Sequence, residues 1–246
     1  MKPARDSQSV VISGDIFGQM GMSAEQEIEI TFPQAATDLV KAGRRLDKWG
    51  MVPATSGNLS MRLANGDLAI TVSGTHKGRL SKADIMRVDA EGRPLDKRRP
   101  SAETLLHVQI YKHLPNVRVV LHPHSLNSTL LSCLCSPHVL LKDYELLKAF
   151  PGIDTHACEV IVPNFANDQN VERLASKVAA YMETNVPVHG YLIAGHGFYT
   201  WGDSIDDALR HVEAFEFLFA YELRMQELVS RNYKGPCVSP SESFTG

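Results

Sequence analysis

Three histidines in the sequence have the spacing and surroundings of metal ligands. His122 and His124 flank a proline at the end of a short β-branched run, residues 117–121. In an extended segment the side chains of residues i and i+2 point to the same side, so both imidazoles can approach one ion. His196 lies between two glycines, directly after the strand-like run 191–194. Three imidazoles would leave coordination positions open, as in a catalytic metal site, but by spacing alone His196 fits a turn residue equally well.

Two glutamates are candidates for acid–base groups or for further metal ligands. Glu103 lies near the start of a predicted helix over residues 101–113, and Glu145 lies in a predicted short helix over 142–149. A carboxylate close to a reacting carbon can take up a proton and return it. Most carboxylates are solvated surface charges, so these two residue types alone do not decide between the roles.

Three short loops of small and polar residues could hold an anion. They cover residues 56–58, 73–75 and 100–102. Backbone N–H groups and short hydroxyls in such loops donate hydrogen bonds to a phosphate, and the third loop precedes a predicted helix N-terminus, where the helix dipole attracts negative charge. Each loop alone is typical of an ordinary turn, whereas the three together could cradle a phosphate.

Hydrophobic periodicity and turn residues predict the elements that must position these groups. Apolar residues recur every three or four positions from residue 33 to 49, which predicts an amphipathic helix. The Asn65-Gly66 pair between two strand-like runs predicts a hairpin, and Ser204 with Asp207 predicts the start of a long helix. Further helices are predicted over 125–133 and 169–183, and strands over 86–88, 117–121, 159–162 and 190–194.

The mixture of hairpin signals and helices predicts an α/β fold with a mainly antiparallel or mixed sheet flanked by helices. The chain shows no internal repeat and no low-complexity linker. We therefore expect one catalytic domain over residues 31–232. Residues 1–30 are expected to form a flexible N-terminal extension, and residues 233–246 a loose C-terminal tail.

Composition narrows the class of protein. The 246 residues are 43% hydrophobic and 22% charged, which excludes a wholly disordered chain. The net charge of −3 offers no basic field for nucleic acid or an anionic membrane, so a small-molecule partner is expected. The sequence has no apolar stretch typical of a membrane span or a secretory signal, and four irregularly spaced cysteines do not suggest a disulfide framework. These features predict a cytoplasmic protein.

Read in order, five motifs resemble the class II aldolase and adducin-head family. They are Pro53-Ala54-Thr55-Ser56-Gly57-Asn58-Leu59-Ser60, Thr71-Val72-Ser73-Gly74, Pro100-Ser101-Ala102-Glu103, Leu121-His122-Pro123-His124-Ser125 and Ile193-Ala194-Gly195-His196-Gly197. The resemblance covers about residues 34–230, and five ordered motifs are far more specific than any single one. It implies a three-layer α/β/α sandwich around a mainly antiparallel sheet, usually assembled as a homotetramer with its sites at subunit interfaces.

The resemblance also implies a site. The ligands it implies for one Zn²⁺ per subunit are His122, His124 and His196. The contacts it implies for the phosphate of a sugar phosphate are Gly57, Asn58, Ser73, Gly74 and Ser101. Ala102 departs from the second serine of some relatives, which weakens the phosphate site without removing it because a backbone N–H can still donate. Pro123 replaces the commoner threonine or methionine between two ligands, and no ligand is lost.

A second set of motifs is similar to the dehydratases of this family, which act on 5-methylthioribulose 1-phosphate in methionine salvage. These motifs lie at residues 53–58, 77–80, 101–107, 145–148, 167–169 and 197–202. They imply a zinc-dependent hydro-lyase that forms 2,3-diketo-5-methylthiopentyl 1-phosphate. Glu145 would then be the acid–base residue, with Glu103 assisting near the metal.

Two other functions fit part of the same pattern. An aldolase or epimerase acting on fuculose, rhamnulose or ribulose phosphates would share the metal and phosphate motifs, and in aldolases the acid–base position matches Glu103. A non-catalytic adducin-like assembly module would share only the fold. Such a module needs no metal ligands, so the intact set of three histidines counts against it.

Overall fold

The computed structural model describes residues 30–185 and 187–231, and this part of the chain forms one eight-stranded sheet with helices on both faces. The helices are α1 (Phe32–Lys48), α2 (Thr104–His113), α3 (Leu126–Leu134), α4 (Val171–Thr184) and α5 (Ile205–Ser230). The strands are β1 (Asn58–Arg62), β2 (Leu68–Thr71), β3 (Ile85–Val88), β4 (Val119–His122), β5 (His138–Lys142), β6 (Glu159–Phe165), β7 (Gly190–Ile193) and β8 (Gly197–Gly202). The predicted N-terminal extension up to residue 29 and the predicted C-terminal tail lie outside the described residues.

The sheet is mainly antiparallel, as the sequence predicts. Its strand order is β3-β2-β1-β4-β8-β7-β6-β5, and among these pairs only β6 and β7 run parallel. The predicted hairpin joins β1 to β2, and Gly66 in its turn has a φ of 87°, which favours glycine.

Two hydrophobic cores lie on opposite faces of the sheet, because successive side chains of a strand point to opposite sides. On β7 and β8, Leu192 and Phe198 face the core beneath α1, α3 and α5. Tyr191 and Tyr199 face the core beneath α2 and α4. This arrangement is the α/β/α sandwich that the resemblance implies. None of the helices in the described ranges combines the length and the apolar character that crossing a bilayer requires.

Three elements differ from the sequence-based predictions. The predicted helix over 142–149 is shorter in the structure, a 3-10 helix over Glu145–Ala149, and Lys142 instead ends β5. In β5, Val139 and Leu141 are buried between exposed neighbours, the period of two of an edge strand. The sequence does not predict strand β8, because all six of its residues are buried and show no alternation. Helix α2 begins at Thr104, three residues later than predicted.

Two neighbouring strands bring the predicted metal ligands to one end of the sheet. β4 pairs with β8, and His196 lies in the tight turn between β7 and β8. A Cβ on Gly197 would lie 2.4 Å from the carbonyl oxygen of Pro123, so only glycine allows the two ligand-bearing segments to approach this closely.

Candidate metal centre and active site

The three predicted histidines converge with Glu103 into one cluster. One ligand atom from each of the four residues lies within 4.8 Å of every other. His124 Nε2 lies 2.8 Å from His122 Nε2. The carboxylate of Glu103 lies 3.3 Å from His122 Nε2 and 3.4 Å from His196 Nε2. The structure therefore joins the segments before α2, after β4 and between β7 and β8 around one point.

His122 is fixed in the orientation that a metal ligand needs. Its Nδ1 lies 2.8 Å from the carbonyl oxygen of Phe198, which can only accept a hydrogen bond, so Nδ1 carries the proton. The lone pair of Nε2 then faces the cluster. The ring is fully buried and stacks on Tyr199 at 3.9 Å between centroids. Packing on one side and a hydrogen bond on the other leave the imidazole little freedom to turn away.

Helix α3 and the loop after α1 hold the other two histidines of the cluster. The backbone N–H of His124 donates to the carbonyl of Met51 at 2.7 Å. Thr129 on α3 donates its hydroxyl to the carbonyl of His196 at 3.0 Å. On the same helix, Ser132 accepts the backbone N–H of Gly195 at 2.9 Å. The His196 turn is thus anchored on a helix and not on a mobile loop.

The electrostatics of the cluster suit a divalent cation. Burial lowers the pKa of His124 to about 2, and burial also lowers the pKa of His196, so both imidazoles are neutral donors at pH 7. Burial by itself raises the pKa of Glu103, whereas His122 and His196, when they carry a second proton, and a hydrogen bond from Asn58 lower it below its usual range. Neutral imidazoles beside a carboxylate are the donor set that zinc takes in catalytic sites. The residues present therefore fit the metal that the family resemblance implies.

A chain of buried hydrogen bonds runs from Glu103 away from the cluster. Asn58 donates its side-chain amide to Glu103 at 2.7 Å, and its amide oxygen meets Nε2 of His107 in a short contact. Ser60 lies 2.7 Å from Nδ1 of His107 and 2.9 Å from the hydroxyl of Tyr111. Since an amide oxygen can only accept, Nε2 of His107 donates and its Nδ1 accepts from Ser60. The chain fixes which end of the Asn58 amide faces Glu103.

The sequence alone assigns no function to His107, although its position indicates one. It lies four residues after Glu103, a spacing that places two side chains on one side of a helix. Its side chain is fully buried, and burial lowers the pKa of His107 to about 3, so the ring is neutral. His107 therefore positions Glu103 through Asn58 and does not touch the metal cluster.

We expect a His107→Leu variant to lose about 10- to 100-fold in turnover, because displacing a reacting group by a small distance costs on this scale. Metal content should stay near that of the unaltered protein, since His107 is not a ligand. Turnover and zinc per subunit measure the two effects separately. His113→Leu, the same substitution on the same helix but outside the chain of hydrogen bonds, is the matched control. Unchanged turnover in His107→Leu would contradict the positioning role.

A cavity of ≈ 430 Å³ opens beside the cluster and gathers the predicted phosphate contacts. The predicted contacts that line it are Gly57, Asn58, Ser73, Gly74 and Ser101, together with the cluster residues Glu103, His124 and His196. Gly57 has a φ of 75°, and a Cβ there would lie 2.7 Å from the carbonyl oxygen of His122, so this loop requires glycine. The side chain of Asn58 is already held by Glu103 and His107, which gives it a positioning role besides the predicted phosphate contact.

Several residues of the cavity are not among the site residues predicted from the sequence. Lys77 lines it from the turn after β2, and 167–169 line it from the loop before α4. Within that loop, Asp168 is held by Arg173 at 2.5 Å. Both segments belong to motifs that resemble the dehydratases. The motifs single out these residues but assign them no role in the site.

The structure does not bring Glu145 to the cavity of its own chain. Glu145 begins the 3-10 turn after β5, and its side chain is 71% exposed. Its carboxylate pairs with Lys148 and lies 3.7 Å from His156. Glu145 is absent from the residues that line the cavity. Its predicted acid–base role therefore stays a prediction.

Comparison with known sequences identifies relatives along most of the chain. The chain is 61% identical over 194 residues to a protein of Methylococcus capsulatus named methylthioribulose-1-phosphate dehydratase, covering 79% of this chain and 95% of the relative. It is 49% identical over 197 residues to a protein of the same name from Pseudomonas aeruginosa, covering 79% and 96%.

Solved structures share the fold. YgbL from Klebsiella pneumoniae superposes with a TM-score of 0.69 at 26% identity, covering 80% of this chain and 91% of that one. The L-fuculose-1-phosphate aldolase from Thermus thermophilus gives a TM-score of 0.63 at 24% identity, covering 82% and 98%, and is similar in fold alone. The family model described as "Class II Aldolase and Adducin N-terminal domain" matches residues 37–223. These matches confirm the resemblance seen in the motifs, and the chain belongs to the class II aldolase and adducin family.

Proposed function

We propose that this protein is a hydro-lyase that dehydrates 5-methylthioribulose 1-phosphate to 2,3-diketo-5-methylthiopentyl 1-phosphate in methionine salvage. The observation that carries this proposal is the high identity to dehydratases of that name over nearly their whole length. The cluster beside a cavity lined by the predicted phosphate loops supports it. We place the reaction in the cytoplasm, because a phosphorylated sugar does not cross a membrane unaided.

The dehydration has four requirements: a bound phosphate, a Lewis acid, a base and a proton donor. The phosphate must be held so that the C2 carbonyl of the substrate faces the metal cluster. The small-residue loops of the cavity fit this task. Zinc held by His122, His124 and His196 would supply a Lewis acid that polarises the C2 carbonyl. A base must then remove the C3 proton, and the C4 hydroxyl must leave as water after receiving a proton. The resulting enol takes up a proton at C4 and becomes the diketone.

The two glutamates divide the remaining work in this proposal. The carboxylate of Glu103 is buried, anionic and oriented by Asn58, so it adds negative charge and a hydrogen-bond acceptor beside the metal. Glu145 removes the C3 proton. A hydrogen bond from Lys148 lowers the pKa of Glu145, so this carboxylate is ionised at neutral pH, as a general base must be.

An oligomer would place Glu145 beside a second active site. On α3, Leu126, Leu130 and Leu134 are exposed at a spacing of four residues. On α5, an exposed apolar stripe of the same spacing consists of Phe217, Tyr221, Met225 and Val229. Such stripes are typical of surfaces that another protein covers. We propose that copies of this chain cover them in a homotetramer, the assembly that the family resemblance implies.

Glu145 lies next to this apolar surface. The preceding residue, Tyr144, donates its hydroxyl to Glu222 on α5 at 2.6 Å, and its ring lies 5.1 Å from that of Tyr221. Helix α3 carries the other stripe and also holds the His196 turn. A subunit boundary along these helices would therefore run close both to Glu145 and to the metal cluster. In this arrangement Glu145 of one subunit completes the site of its neighbour.

A product assay tests the proposed reaction directly. Zinc-loaded protein is incubated with 5-methylthioribulose 1-phosphate, and with fuculose 1-phosphate in parallel, and products are identified by mass spectrometry. We expect the methylthio substrate to lose one water and fuculose 1-phosphate to stay intact. Cleavage of either sugar into two smaller fragments would instead establish an aldolase and move the acid–base role to Glu103. Protein that binds no metal and alters neither sugar would support an assembly module.

A further inference from the structure

Lys77 is a lysine in a place where lysines are rarely found. Its side chain belongs to the 3-10 turn Lys77–Arg79 and is only 2% exposed. A fully buried lysine normally has a paired carboxylate. The side chain of Lys77 lines the cavity beside the metal cluster. Among the described residues that line this cavity, no carboxylate forms an ion pair with it.

The ammonium group of Lys77 ties two loops of the cavity together. Nζ donates to the carbonyl oxygen of Thr55 at 2.8 Å and to that of Thr75 at 2.7 Å. Thr55 begins the loop that carries Gly57, and Thr75 ends the loop that carries Ser73 and Gly74. An ammonium has three donors, so two carbonyls leave one donor for a ligand.

The charge of Lys77 also calls for an anion. Burial lowers the pKa of Lys77 to about 8, because its ammonium group has lost most of its contact with water. Of the described residues that line the cavity, Lys77 is the only lysine or arginine. Two carboxylates line the same cavity, and other groups hold both of them. The oxygens of Glu103 face Asn58, His122 and His196, and Asp168 pairs with Arg173 and Lys177. An uncompensated buried cation is costly, so a ligand anion would complete the arrangement.

We propose that Lys77 is the cation of the phosphate subsite, binding a phosphate monoester with its third N–H and its charge while its two carbonyl contacts set the spacing of the loops. The inference rests on the proposed function only in taking the ligand to be a phosphate ester. Lys77 holds the end of the substrate that does not react. Its loss is therefore expected to weaken binding much more than turnover.

The test compares Lys77→Met with Lys82→Met in the zinc-loaded protein. Lys77→Met keeps the length of the side chain and removes its charge, whereas Lys82 is an exposed lysine in the next 3-10 turn and serves as the control. Calorimetry with inorganic phosphate gives the dissociation constant, and initial rates give KM and kcat. We expect Lys77→Met to raise both the dissociation constant and KM by about 10- to 100-fold, as for the loss of a charge-assisted hydrogen bond. kcat should change by less than about 3-fold, because binding lost equally from ground state and transition state leaves kcat unaltered. Lys82→Met should change nothing.

The outcomes separate this inference from the proposed reaction. Phosphate binding by Lys77→Met equal to that of the unaltered protein would overturn the inference and leave Lys77 as a link between loops. A loss of phosphate binding by an enzyme that turns out to cleave its sugar would overturn the dehydration and uphold the role of Lys77. If Lys77→Met does not fold, Lys77→Gln gives the same comparison, because its amide still has two donors for the two carbonyls but no charge.

Discussion

A His124→Ala variant is expected to purify without bound zinc and to lose about 10³-fold or more of its turnover. A metal in such a site stabilises transition-state charge by several kcal/mol, and each 1.36 kcal/mol corresponds to about a factor of ten in rate. His124 is one of only three imidazoles in the cluster, and Glu103 by itself cannot replace it because the carboxylate already faces His122 and His196. Metal analysis of the purified variant and its initial rate measure the two losses.

His138→Ala is the matched control for this substitution. His138 is an exposed histidine at the start of β5 and lies outside the cluster. Its variant should keep one zinc per subunit and full turnover. Removing the metal from the unaltered protein with a chelator should reproduce the loss, and added zinc should restore the rate. A His124→Ala variant that retains one tightly bound zinc would show that His124 is not a ligand.

The convergence of two of the three histidines could be predicted from the sequence, because the geometry of His122 and His124 is local. His122 and His124 are two residues apart at the end of a strand, and this spacing alone directs both imidazoles to one side. The position of His196 requires more than local spacing. His196 is 72 residues away from His124 in the sequence, and the two meet only because β4 pairs with β8. Spacing alone allows His196 to be either a turn residue or a metal ligand. The order of the five motifs favours the metal ligand.

The errors in the predicted elements have physical causes. Strand β8 is buried on both faces, so its residues show no polar–apolar alternation. The end of β5 is predicted as part of a helix because the apolar and charged residues after it mask the alternation of Val139 and Leu141. Both errors concern strands beyond β4 in the strand order, β8 and β5. The positions of these strands depend on tertiary packing and not on a local pattern.

Roles that arise from tertiary contacts could not be predicted from local sequence. Asn58 lies opposite His122 in the β1–β4 pair, and this register brings its amide to Glu103, 45 residues later in the chain. His107 acts through Asn58 in the same way. Lys77 becomes a candidate phosphate-binding residue only because the fold brings two loops together at its ammonium group. In each case the residue type is ordinary and the position in the fold gives it a use.

A Glu145→Gln variant is expected to lose about 10²- to 10⁴-fold of its turnover while keeping its zinc, because it removes a general base and no metal ligand. Glutamine has nearly the same shape, so the fold of this exposed turn should not change. Glu159→Gln is the control, since Glu159 is a similarly exposed glutamate that pairs with a lysine at the edge of the sheet. Normal turnover in Glu145→Gln together with its loss in Glu103→Gln would assign the base to Glu103 instead.

Mixed oligomers decide whether Glu145 acts within its own chain or on a neighbour. Glu145→Gln keeps the metal ligands, and His124→Ala keeps the base, so neither variant forms an active site alone. If each site takes its metal from one subunit and its base from another, random assembly of equal amounts leaves about a quarter of the sites intact, since the pairing at a symmetric interface is independent of the variant. Co-expression with two different affinity tags isolates the mixed species, and its rate should reach about a quarter of that of the unaltered protein. If both groups belong to one chain, every site lacks one of them and the mixed oligomer stays inactive. Recovered activity would therefore establish that Glu145, which is exposed in the single chain, acts in the active site of a second subunit.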